Sequence, residues 1–191
     1  MSTADAAPAA DGASAAAPAP AVTGAGVEPA EVIAAARRQG LWLATAESLT
    51  AGAVVARLVD VPGASAVIAG GAATYSYAAK SRVLGVDADL LARTGAVTAE
   101  VAAAMAEGAQ RLYDADLAVS TTGVAGPGPD ERGTPEGTVF LGLARRGAET
   151  RTQELHLRGT RAEIRAASVR AALALLAEGL LVEDPADGHE A

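Results

Sequence analysis

Ser48 and Thr50 stand where an apolar run, residues 43–55 (LATAESLTAGAVV), breaks into polar side chains and then resumes in small ones. A buried strand that steps through polar residues into a helix is a common way to build a site. A hydroxyl at such a step either caps the helix or serves as a nucleophile, because the same position offers unpaired backbone N–H groups to both uses. A second junction, STTGVAGPG at 120–128, is also rich in hydroxyls and glycine and places Thr122, Gly123 and Gly126 together. In open α/β sheets ligands gather beyond the carboxyl ends of the strands, against helix N-termini. Gly-rich turns are also ordinary connectors, so both readings stay open on pattern alone.

Acid–base groups are scarce. Cysteine is absent, and of the two histidines His189 lies in the acidic tail while His156 falls in an alternating, strand-like stretch. A Ser-His-Asp triad, a thiolate zinc site and a two-histidine metal site are therefore poorly supplied. Lys80 is the only lysine; every other Lys or Arg position is Arg. Arginine does not give up its proton and lysine can, so a lone lysine in such a chain is a candidate base. Considered singly, Lys80 also reads as a surface charge and Tyr75 as a sheet-packing residue.

The elements that would position these groups alternate between helix and strand. A helix is expected over 28–40, with Pro near its first turn and Gly at its end, followed by a buried strand over 41–45 and a helix over 50–58. AVIAGGAATYS (66–76) reads as a strand with a bulge at its glycine pair, with Lys80 just beyond it before a short helix to 84 and another over 87–95. The clearest helix starts at Thr98 as N-cap. A strand over 116–123 runs into a Gly/Pro-rich loop, two strands (138–144 and 150–157) form a hairpin at RRGAE, and a long helix follows from 161 to 181. This order predicts one α/β domain, a layered α/β/α arrangement around a mixed sheet.

The chain of 191 residues is half hydrophobic yet only 3% aromatic, which suits close packing of small side chains between helices and a sheet. Its formal charge of −8 argues against a nucleic-acid partner, since phosphate-backbone binders carry basic surfaces. Residues 1–26, rich in Ala and Pro and lacking a basic residue, read as a disordered leader, and 183–191 as a loose acidic tail, leaving 27–182 as the domain. No apolar run reaches the length of a membrane span, so a cytosolic location with no membrane partner is expected.

AESLTAG, TYSYAAK, LGV, GAVTAEVAAAMAEGA, TTGVAGP and PEGTVFLGLA, in this order, resemble the CinA C-terminal-domain family, the nicotinamide-nucleotide amidohydrolases or nicotinamide mononucleotide deamidases. The resemblance runs from about residue 28 to residue 181; the separate N-terminal domain of full-length CinA proteins is not matched. It implies hydrolysis of a nucleotide carboxamide to the acid and ammonia, with Ser48 as nucleophile and Tyr75 and Lys80 assisting it. It further matches Thr122 and Arg161 to the family's substrate site and implies a homodimer; Thr50, Gly123 and Gly126 join them as candidate substrate contacts, and no metal or cofactor is expected. The chemistry is coherent: Lys80, held neutral by burial and a nearby Arg161, would take the serine's proton, and Tyr75 would relay it or orient the lysine. N–H groups at the start of the 50–58 helix would face the oxyanion, and the 123–126 loop would hold ribose and phosphate. Three departures stand out, Leu49-Thr50-Ala51-Gly52 where the family usually has Cys-Thr-Gly-Gly, Tyr77-Ala78 where it often has Asn-Glu, and Thr134 where it often has Lys, and the last two bear on pocket polarity and substrate preference. A non-catalytic nucleotide-binding module and an amidohydrolase for another carboxamide are the competing expectations.

Overall fold

A computed structural model describes residues 26–181, so the expectations for the leader and the acidic tail lie outside the described residues. Within them the order is α1 (Pro29–Gln39), β1 (Leu43–Glu47), α2 (Ala53–Val59), β2 (Ile68–Ala73), α3 (Tyr77–Leu84), α4 (Ala88–Thr94), α5 (Ala99–Tyr113), β3 (Leu117–Gly123), β4 (Thr138–Arg145), β5 (Arg151–His156) and α6 (Arg161–Leu181). The five strands form one sheet in the order β2-β1-β3-β4-β5. The pairs β1/β2 and β1/β3 are parallel, and β3/β4 and β4/β5 antiparallel. This is the mixed-sheet α/β domain that the alternating pattern predicts.

Strand alternation sorts the core onto the two faces of the sheet. Leu43, Leu117, Val119 and Leu141 point to the side covered by α1, α2 and α6, where they meet Val32, Val54, Leu58, Ile164 and Leu176. Ala44, Ala46 and Ala118 point to the side of α3, α4 and α5 and meet Leu84, Leu91, Val101 and Met105. Each large side chain so buried contributes about 1.5–3 kcal/mol. The small residues on the second face let α5 lie close to the sheet: Ser120 Oγ donates to the carbonyl of Ala102, and a Cβ at Gly142 would collide with that same carbonyl.

Several boundaries differ from the sequence expectation. The first strand runs to Glu47 rather than ending at Thr45. The helix after it begins at Ala53, not Thr50, because Ala51 (φ 54°) and Gly52 (φ 94°) adopt left-handed backbone and make residues 48–52 a tight turn. The second strand is shorter at both ends, since a 3-10 turn occupies Ala64–Ala66 and Ser76 caps α3 by accepting from the N–H of Ala79 at 3.1 Å. The expected bulge is present: Leu43 pairs with Ile68 but Ala44 with Gly70, leaving Ala69 as the extra residue. Thr98 caps α5 as expected, accepting from Val101 N–H at 3.2 Å.

Candidate active site

The three parallel strands end together, and their last residues set the floor of a cleft. Ser48 follows β1, Thr74 follows β2, and Thr122 and Gly123 end β3. From central β1 the chain crosses to β2 on one side while β3 lies on the other, so the loops after β1 and β3 diverge and leave a crevice. The cleft measures about 620 Å³, and its lining includes Ser48, Tyr75, Tyr77, Lys80, Thr122 and Arg161 together with the 123–132 loop.

Ser48 is fixed from the sheet side: its N–H donates to Thr121 O at 2.9 Å, and Thr74 N–H donates to Glu47 O at 2.8 Å. Its hydroxyl is met by Lys80, whose Nζ lies 2.8 Å from Ser48 Oγ and 2.8 Å from the carbonyl of Thr74. Lys80 has no exposed surface, whereas Ser48 keeps 8% of its own. The surface-charge reading of Lys80 is thus overturned: α3 turns its one lysine inward beneath the serine. Burial beside two neutral acceptors penalises the ammonium and lowers the pKa from 10.5 to about 8. Burial alone accounts for the shift; Arg161 is not among its causes.

Neither Ser48 nor Thr50 caps the second helix. That task falls to Glu47, whose buried carboxylate accepts from the N–H groups of Gly52 (2.9 Å), Val54 (3.0 Å) and Val55 (2.9 Å) and from the Thr45 hydroxyl (3.2 Å). A carboxylate at a helix N-terminus satisfies orphan donors and complements the dipole. The expected use of this helix start for an oxyanion is therefore corrected, because these N–H groups are already taken. The N–H groups of Leu49 and Thr50, one step earlier, find no acceptor among the described residues.

Thr50 does not reach the cleft. It is fully buried, and its hydroxyl shares a 2.7 Å hydrogen bond with that of Thr121. Thr122 lines the cleft and donates its hydroxyl to Ala96 O at 2.6 Å, tying the end of β3 to the segment before α5. Gly123 and Gly126 also line it. Val124 N–H is occupied by Thr138 O, and the loop braces itself through Glu136, which accepts from Gly128 N–H at 2.6 Å. Tyr75 stands at the mouth, 62% exposed, and its hydroxyl accepts from Arg161 Nη2 at 3.1 Å rather than meeting Ser48 or Lys80. Arg161 also donates through Nη1 to Gly126 O at 2.7 Å, so it straps Tyr75 to the Gly-rich loop across the opening.

Two residues with no role assigned from sequence support the site. Glu47 carried a signal, an acid directly before a hydroxyl at a strand end. Arg165 carried another, four residues after Arg161 and hence on the same helix face.

The CinA C-terminal domain model matches residues 28–180. A CinA-like protein of Mycolicibacterium vanbaalenii is 48% identical over 141 residues, 74% of this chain and 33% of that protein. A putative competence-damage inducible protein of Desulforudis audaxviator is 45% identical over 139 residues, 73% of this chain and 33% of its own length. The chain thus spans about a third of the curated relatives it matches. The crystal structure of a CinA superfamily protein from Klebsiella pneumoniae aligns with a TM-score of 0.77 at 37% identity, over 80% of this chain and 94% of the other. That of a competence/damage inducible protein from Agrobacterium tumefaciens gives 0.72 at 37% identity, over 81% and 98%. With the family model spanning nearly all the described residues, and relatives and crystal structures agreeing with it, the chain belongs to the CinA C-terminal-domain family.

Proposed function

We propose that this chain is an amidohydrolase that converts nicotinamide mononucleotide to nicotinate mononucleotide and ammonia. The observation that carries the reading is the 2.8 Å contact between Ser48 Oγ and the wholly buried Lys80 Nζ at the floor of the cleft. With a pKa of about 8, roughly a tenth of Lys80 is neutral at pH 7 and able to accept a proton. Neutral Nζ takes the Ser48 proton as Oγ bonds to the carboxamide carbon. The carbonyl oxygen becomes an oxyanion, for which the N–H of Leu49, which lines the cleft and has no acceptor among the described residues, is the nearest backbone donor in sequence. Lys80 then gives its proton to the amide nitrogen, the C–N bond breaks, and ammonia leaves an ester on Ser48. Water attacks that ester, Lys80 accepts its proton, and the proton returns to Ser48 as the carboxylate departs. Arg161, bonded only to neutral oxygens among the described residues, supplies charge for the phosphate at the mouth.

Ammonia and nicotinate mononucleotide are the products to measure. Release by the wild-type chain and none by Ser48→Ala, which loses little volume, supports the reading; equal release by both returns Ser48 to a structural role. Tyr77, 42% exposed in the cleft wall where the family often has Asn, favours a second reading, an amidase for a different aromatic carboxamide. A panel of carboxamides separates the two.

A further inference from the structure

We infer that Arg165 is a positioning residue for the oxyanion site, holding the turn after Ser48 so that the N–H of Leu49, the turn residue that lines the cleft, stays open to the reacting carbonyl. The inference rests on the amide-hydrolysis reading. Arg165 reaches from α6 and donates through Nε to the carbonyl of Leu49 (2.8 Å) and through Nη2 to that of Thr50 (3.0 Å). A planar guanidinium fork spans two successive carbonyls in a way a single ammonium does not.

The rest of the turn shows the same asymmetry. Ser48 O accepts from Ala51 N–H at 3.1 Å, and Thr50 O accepts a second bond from Ala53 N–H at 3.2 Å. The carbonyls of residues 48, 49 and 50 are therefore all engaged. The N–H groups of Leu49 and Thr50 have no acceptor among the described residues, although Leu49 is 3% exposed and Thr50 fully buried. Buried N–H groups are almost always paired, and of these two only Leu49 lines the cleft, so its N–H beside the nucleophile is the one that a ligand atom can meet. Ala51 adds strain, a residue with a Cβ held at φ 54°.

Peptide planarity converts the Arg165 contact into geometry. The carbonyl of Leu49 and the N–H of Thr50 belong to one planar unit and point to opposite sides of it. Fixing that carbonyl against the guanidinium sets the peptide plane after Leu49, and with it the turn that presents the Leu49 N–H to the cleft. Arg165 itself does not line the cleft, so it acts through the backbone rather than on the substrate.

The test compares wild type, Arg165→Met and Arg165→Lys, each as the full chain, in ammonia release from nicotinamide mononucleotide. Melting curves establish the folded fraction at the assay temperature. The expected result is a kcat lower by about 100-fold in Arg165→Met, the scale of losing an oxyanion donor, with KM within about threefold. Arg165→Lys should fall between, since one ammonium restrains one carbonyl, and added methylguanidine should restore part of the Arg165→Met rate. The apparent pKa of the rate should stay where Lys80 sets it. Folded variants with wild-type kcat, or a loss carried by KM alone, overturn the inference. If Arg165→Met does not fold, a wild-type kcat in Arg165→Lys overturns it equally. A wild-type chain silent on nicotinamide mononucleotide and on the carboxamide panel overturns the amide-hydrolysis reading and this inference with it, which separates that failure from one confined to Arg165.

Discussion

Glu47 and Ser48 are neighbours in sequence and serve opposite faces of the sheet. The carboxylate of Glu47 turns toward α2 and gathers three of its N–H groups, while the hydroxyl of Ser48 turns toward α3 and meets Lys80. A strand end is where this division is available, because consecutive side chains point to alternate sides. The serine then needs no capping duty, and its hydroxyl is left to Lys80 and the cleft.

Removing the carboxylate tests that division of labour. Glu47→Ala leaves the N–H groups of Gly52, Val54 and Val55 without their acceptor and opens a void beside the turn. The expected loss is about 3 kcal/mol in urea unfolding, since each buried donor left unpaired costs about 1–3 kcal/mol and the effects overlap. Activity per folded molecule should fall as well, because the turn carries the serine. A variant as stable as wild type would show that α2 does not depend on this cap.

Thr50→Val distinguishes a structural hydroxyl from a substrate contact. The Thr50 hydroxyl is bonded to Thr121 inside the protein, so valine should cost about 1–2 kcal/mol by leaving Thr121 unpaired. KM should remain within about twofold of wild type, because the loss lies in the core rather than in a contact to substrate. A large rise in KM with unchanged stability would put the hydroxyl on the substrate after all.

The site was legible in part, for physical reasons that differ by residue. Lys80 showed itself by composition, as the one cation in the chain able to release a proton, and Ser48 by its place at a strand-to-helix step. Their meeting depends on α3 packing under the ends of β1 and β2, which pattern does not contain. The helix start was misplaced because capping rules look for a hydroxyl, whereas here a carboxylate at the strand end does the work. Arg165 shares the spacing of Arg161, but its acceptors lie 115 and 116 residues away in sequence, so only the folded chain pairs them. The sheet was more accessible: buried apolar runs, alternating positions and turn residues between them marked the strands, with errors of one to three residues at most ends.

Arg161 and Tyr75 form a linked pair at the mouth, and substitutions should separate their roles. Arg161→Ala removes the bonds to Gly126 O and to the Tyr75 hydroxyl and the positive charge offered to the substrate. KM for nicotinamide mononucleotide should rise about 10- to 100-fold, the scale of a charged hydrogen bond, while the riboside lacking phosphate is affected little. Tyr75→Phe, which removes only the acceptor of Arg161, should change KM by about threefold and leave kcat close to wild type. A collapse of kcat in Tyr75→Phe would mean that the phenol swings inward to relay the proton.

Lys80 gives the sharpest pH test. Its folded pKa of about 8 lies below the ordinary 10.5, so the protonated form is the one that burial disfavours. Below pH 8 the folded and unfolded chains both carry the proton and the penalty is fully present. Between 8 and 10.5 the folded chain gives it up while the unfolded chain keeps it, so the unfolded state binds more protons and stability rises with pH. Relative to Lys80→Met, the wild-type chain should gain about 2 kcal/mol between pH 7.5 and 9.5, read from paired urea titrations. Turnover should climb over the same range with an apparent pKa of about 8, as the fraction of Lys80 able to accept a proton grows, and Lys80→Met should be inactive while remaining folded. A stability difference flat across this range would place the Lys80 pKa outside it. Full turnover by Lys80→Met would hand the base to another group.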